Sequence, residues 1–137
     1  MTAFVLDASV TMAWAFKEEL TPLAERLLKE LVAGEALVPA VWPLEVANVL
    51  IVSERRGRVD RGDVERFAEL LLGLPIRVHA STESFAFDEA LPLARDTGLS
   101  VYDASYLELA GRLGLPLATL DAALVRAAAN VGVRVLA

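Results

Sequence analysis

Cysteine is missing from the chain altogether, and histidine occurs once, at His79. The first absence excludes disulfides, thiolate nucleophiles and zinc–thiolate sites. The second leaves no His-based triad and no multi-histidine metal site. Basic residues are also scarce: 13 Lys and Arg stand against 19 Asp and Glu, a formal net charge of −6. That balance argues against a broadly basic nucleic-acid binder. It leaves open a nucleic-acid enzyme whose acids gather around a metal. Long apolar runs are absent too. The most apolar stretch, ALVPAVWPLEVANVLIV at 36–52, is interrupted by Pro39, Pro43, Glu45 and Asn48. It falls short of the ~20 apolar residues a membrane span needs. The opening MTAFVLDAS lacks a basic region followed by a long apolar core, so no signal peptide is expected. The default expectation is a soluble cytoplasmic protein whose chemistry rests on carboxylates, hydroxyls, amides and cations.

What is present is apolar: 55% of the 137 residues are hydrophobic and 23% charged. This predicts one globular domain over 1–137, burying roughly two-thirds of its unfolded surface. Short apolar segments at 3–6 (AFVL), 36–38 (ALV), 116–120 (PLATL) and 133–136 (VRVL) read as strands, and IRVHA at 76–80 as a strand or extended connection. Helices are predicted from Ser9 to about Glu18, from Pro22 behind a Thr21 N-cap to about Val32, and over 41–56. Others are predicted from the Asp60/Asp63 start through Leu72, and over 83–96, 101–113 and 122–130. Strands alternating with helices imply an α/β fold, a mainly parallel sheet covered on both faces. No repeat, low-complexity tract or linker interrupts it.

Four carboxylates occupy comparable places in this pattern. Asp7 follows the first strand directly and Asp121 a late one, where open parallel sheets bind ligands. Each also reads as a helix N-cap. Glu45 lies in VWPLEVANVLIV, a helix apolar on nearly every side, where an unpaired carboxylate is costly and calls for a partner, a metal or a wet cleft. Asn48, three residues on, shares its face. Asp103 stands in the first turn of the 101–113 helix, and Ser100 and Asp103 match the S-x-x-D form of a capping box. If the four converge, their repulsion is considerable: two like charges at 4 Å repel by about 4 kcal/mol at an effective dielectric near 20. Protons or a cation would have to offset it. Oxygen-only ligands suit Mg2+ or Mn2+, and a metal-bound water can attack a phosphodiester.

The segments VLDASV, PLEVANVL, LSVYDASYLELA and LPLATLD, in that order across the chain, resemble the PIN-domain family, and within it the VapC-type toxin ribonucleases. The resemblance implies a three-layer α/β/α sandwich around a parallel sheet. It implies Asp7, Glu45, Asp103 and Asp121 as catalytic and metal-binding acids, with Ser9 and Asn48 in support. It implies Mg2+- or Mn2+-dependent cleavage of RNA, products carrying a 5′-phosphate, and a small VapB-type antitoxin as partner. One departure is mild: Leu120 stands where many relatives carry a polar residue before the last acid. Relatives are commonly dimers, and VERFAELLLGL at 64–74 carries more Leu than a small domain easily buries, so a homodimer is expected.

Arg55, Arg56 and Arg58 end the third helix and either steer RNA phosphates or serve as solvated charge at a helix C-terminus. His79 reads as structural, and Trp14, Trp42, Tyr102 and Tyr106 as core or interface. A phosphoaspartate phosphatase would want a second acid two residues after Asp7, where Ser9 stands. The remaining alternative is a non-catalytic PIN-like protein that grips RNA or an antitoxin. An acidic pocket without a metal repels phosphate, which disfavours it.

Overall fold

The computed structural model describes residues 2–79 and 82–137. Its elements alternate: β1 (Ala3–Leu6), α1 (Ala8–Ala15), α2 (Pro22–Glu30), β2 (Glu35–Val38), α3 (Val41–Arg55), α4 (Arg61–Leu72) and β3 (Ile76–Val78). Then come α5 (Thr82–Phe85), α6 (Leu91–Thr97), α7 (Val101–Leu113), β4 (Leu117–Ala118) and α8 (Ala122–Val131). The strands pair in parallel in the order β3-β2-β1-β4, with Ala3 opposite Glu35, Ala36 opposite Ile76 and Val5 opposite Leu117. Helices flank this sheet, giving the expected α/β sandwich. Phe4, Val5, Leu6, Leu117, Leu107, Leu109 and Leu124 are fully or almost fully buried between the layers.

Local chemistry explains several boundaries. Thr21 Oγ1 accepts the Ala24 N–H at 3.1 Å and starts α2. Asp60 and Asp63 form a reciprocal capping box on α4. At Gly34 a Cβ would run into the Thr2 carbonyl oxygen, so only glycine lets β1 and β2 align there.

The late strand expected over 116–120 shortens to Leu117–Ala118, and three further elements differ from the sequence reading. The first helix stops at Ala15, because Phe16 turns extended to bury its ring, and a short 3-10 turn, Lys17–Glu19, follows. The helix expected over 83–96 is divided by a wide π-turn, Ala86–Ala90. Pro92 has no N–H, and its ring crowds the carbonyl four residues back, at Asp88; the Leu91 N–H bonds instead to Ala86 O, five residues back. The final strand shrinks to one parallel bridge between Leu117 and Val135. Its partner β4 is only two residues long, so the ladder has no room to extend. Ala80, assigned to the 76–80 segment, lies outside the described residues.

From β1 the chain runs outward through β2 to β3, then returns to lay β4 on the far side of β1. The order reverses between β1 and β4. Open parallel sheets place ligand sites in the crevice beyond the carboxyl ends of strands that flank such a reversal.

Candidate active site

Asp7 closes the β1–β4 ladder: its N–H donates to Ala118 O at 3.0 Å. Its side chain caps α1 through the Ser9 N–H, as the capping reading requires, and it is only 4% exposed. Three hydrogen bonds converge on Oδ2, from the Ser9 N–H at 3.4 Å, Ser9 Oγ at 2.6 Å and Thr119 Oγ1 at 2.8 Å. None of the three uses Oδ1. Ser9 Oγ also accepts the Leu120 N–H at 2.9 Å, and Thr119 Oγ1 the Asp121 N–H at 3.0 Å. Two hydroxyls thus tie the ends of β1 and β4 together around one carboxylate. Asp121 caps α8, its Oδ1 accepting the Ala123 and Leu124 N–H groups at 2.8 and 3.3 Å.

Glu45 and Asp103 reach the same crevice from α3 and α7. Glu45 is half-buried, and its Oε1 accepts the Tyr106 hydroxyl at 2.9 Å. The helix around it is not buried all round as its composition suggests. Trp42, Val46, Leu50 and Ser53 form its buried stripe, while Asn48 is exposed and Leu44 is 74% exposed. Apolar composition marks only one face of α3 as core. Asp103 is half-buried, and its N–H donates to Ser100 Oγ at 3.0 Å, one half of the expected box.

Electrostatics records how the acids sense one another. Burial raises the pKa of Asp7, against the hydrogen bonds that pull it down. Burial also raises Glu45, with Asp7 and Asp103 adding repulsion and Tyr106 opposing. Asp103 is raised by burial, then by Asp7 and Asp121. The Tyr106 hydroxyl is pushed far above the ordinary phenol range by burial and by Glu45, Asp7 and Asp103, so it remains a donor. Among the described residues no three of these acids are gathered into a ready-made metal cage. The donors are nevertheless all oxygen, and their mutual repulsion is the imbalance a hard dication relieves. Mg2+ keeps several waters and needs only one or two direct carboxylates, so this open arrangement fits it.

Sequence reasoning missed two participants. Thr119 is hidden in the apolar segment PLATL, just past β4; its position two residues before Asp121, at the same sheet edge as Asp7, is the signal that finds it. Tyr106 reads as core, and its ring is fully buried, yet its oxygen belongs to this crevice. Tyr102, expected in the core or at an interface, is 66% exposed.

The arginines separate. Arg55 and Arg56 are exposed, with no ion pair to them among the described residues. Arg58 bridges Glu18 and Glu19, and its guanidinium lies 3.6 Å from the centre of the Phe16 ring. It nonetheless lines an open cavity of about 500 Å3 whose other walls include Ser9, Met12, Val49 and Leu120, beside the carboxylates. His79 follows β3 at the opposite edge of the sheet, its N–H bonded to Val38 O.

A family model for the PIN domain matches residues 4–130, and the chain belongs to the PIN-domain family. Ribonuclease VapC3 of Pyrobaculum aerophilum is 34% identical over 119 residues, spanning 85% of this chain and 88% of that protein. The crystal structure of PAE2754 from the same organism superposes with a TM-score of 0.68 at 28% identity, covering 92% of this chain and 86% of that one. VapBC2 of Rickettsia felis, solved with a DNA fragment from its promoter, shares the fold at 11% identity and a TM-score of 0.68, covering 98% of each chain. Mycobacterium tuberculosis VapC20, a Sarcin-Ricin loop cleaving toxin, shares it at 18% identity and 0.60, covering 90% and 94%.

Proposed function

We propose that this chain is a metal-dependent endoribonuclease, the toxin of a toxin–antitoxin pair acting on cytoplasmic RNA. The observation that carries the reading is the crevice at the strand reversal of a PIN-domain chain, where Asp103 lies within electrostatic reach of Asp7, Glu45 and Asp121. Similarity to Ribonuclease VapC3 supports RNA as the substrate.

Asp7, Asp103 and Asp121 would hold one or two Mg2+ or Mn2+ ions, with Glu45 as a further ligand or as the acceptor that orients a water. When bound, the cation supplies a Lewis acid and lowers the pKa of its water toward neutrality, making a nucleophile for in-line attack on a phosphodiester. The chain's own part is orientation and charge. Ser9 and Thr119 lock Asp7 through Oδ2. Asn48, exposed one turn beyond Glu45 on α3, would serve as a supporting polar group at the rim. Arg55 and Arg56 supply cationic charge for RNA phosphates, and Arg58 stands over the adjoining cavity.

Partners follow from the uncovered apolar surface and from likeness to a VapBC structure. Leu44 on α3 and Leu70 and Leu72 on α4 are exposed, a surface for a second copy and a small VapB-type antitoxin. The experiment is incubation of purified protein with single-stranded RNA in Mn2+, in Mg2+ and in EDTA. Internal cleavage with either ion, and none in EDTA, is expected. Cleavage that persists in EDTA, or intact RNA in every condition, overturns the reading.

A further inference from the structure

The Tyr106 hydroxyl enters the carboxylate crevice from inside the core. Its ring carries no exposed surface, and a phenylalanine would fill that space equally well. What the hydroxyl adds is one hydrogen bond, 2.9 Å to Glu45 Oε1. That bond spans 61 residues and joins α7 to α3. Glu45 sits on a half-exposed helix face with three side-chain torsions to fix, and Tyr106 is the partner that fixes them. Among the described residues one oxygen is engaged, and Oε2 is left for another use.

We infer that Tyr106 is a positioning residue for the reaction: its hydroxyl holds Glu45 by Oε1 so that Oε2 serves the cation or the attacking water. The inference rests on the ribonuclease reading above. Ligating carboxylates are commonly held by a second hydrogen-bonded group, and losing that group costs about 10- to 100-fold in metal affinity or activity. The competing role is structural: the phenol would merely satisfy its own buried oxygen and brace two helices.

The test compares wild type, Tyr106→Phe, Glu45→Gln and the double variant. Mn2+ binding is measured by titration calorimetry without RNA, and kcat and KM on one RNA substrate. The inference expects Tyr106→Phe to weaken Mn2+ binding or lower kcat about tenfold or more, with KM for RNA held. It expects no further loss when Tyr106→Phe is added to Glu45→Gln. A Tyr106→Phe protein equal to wild type in both Mn2+ affinity and kcat overturns it while the ribonuclease reading stands, as does an undiminished effect in the Glu45→Gln background. Wild type that neither binds Mn2+ nor cleaves overturns both. If Tyr106→Phe does not fold, Tyr102→Phe leaves Tyr106 as the sole tyrosine. With labelled tyrosine, its ring signals in NMR should then shift on adding Mg2+, and unshifted signals refute the coupling.

Discussion

Replacing Asp7 by Asn separates a metal-binding carboxylate from a helix cap. Asn and Asp cap helices about equally well, so the Ser9 N–H loses little and capping alone predicts a change of a few tenths of a kcal/mol. The crevice predicts more. Two hydroxyl donors, Ser9 and Thr119, would bond a neutral amide oxygen in place of a carboxylate, a loss of about 1 kcal/mol each. Against this, the variant no longer buries a charge, and its repulsion with Glu45 and Asp103 disappears. At an effective dielectric near 20, two like charges at 4 Å repel by about 4 kcal/mol, and by less as they separate. The raised pKa of Asp7, with burial its largest cause, fixes the sign of the balance: in the metal-free protein the charged form is disfavoured. Asp7→Asn should therefore be more stable than wild type in EDTA, by about 1 kcal/mol or more. For a chain of 137 residues that is a rise of about 4 °C in Tm. Mn2+ at a hundredfold excess over its Kd should stabilise wild type by about 2.7 kcal/mol and the variant little, reversing the order. Scanning calorimetry of both proteins in EDTA and in Mn2+ reads this directly. Parallel Tm shifts in the two proteins would refute the placing of Asp7 at the metal.

The same raised pKa makes a pH prediction. Because folded Asp7 holds its proton more tightly than the unfolded chain does, its stabilisation is complete below its ordinary value of 3.8 and is lost as pH rises through the folded value. In EDTA the stability advantage of Asp7→Asn should thus vanish on acidification; an advantage independent of pH contradicts the assignment. Thr119→Val removes the donor to Asp7 Oδ2 and the acceptor of the Asp121 N–H. Denaturant unfolding should show a loss of about 1–3 kcal/mol, largely restored by Thr119→Ser, and equal stability of Val and Ser variants would count against the tie. Replacing Arg55 and Arg56 by Ala should flatten the salt dependence of RNA binding, by about 0.7 in slope for each phosphate no longer neutralised. An unaltered slope makes them solvated charge. Light scattering at micromolar concentration should find a dimer, and a strict monomer would leave the exposed α4 leucines to another partner.

Much of the fold is legible because hydrophobic period and punctuation agree: AFVL, ALV and LPLA stand between capped amphipathic helices, and only a parallel sheet accommodates that alternation. The places of Asp7 and Asp121 follow from the same pattern, since each directly succeeds a strand. Other features depend on what lies across space. Tyr106 reads as core because periodicity reports where a ring points, not where its far oxygen ends. Arg58 finds its acids on a turn forty residues earlier, a distance no local pattern records. The last segment, VRVL, has strand composition, but strand length is set by the partner, and β4 offers a single residue to bridge. Pro92 is a visible signal that the 83–96 helix is interrupted.

The most direct test of the four-carboxylate centre is the rate of internal RNA cleavage in Mn2+ by wild type and by Asp7→Asn, Glu45→Gln, Asp103→Asn and Asp121→Asn. Every one of the four should lose about a hundredfold or more while unfolding cooperatively as wild type does. Full activity in a folded Asp7→Asn or Asp103→Asn protein would contradict the claim that these acids form one RNA-cleaving centre.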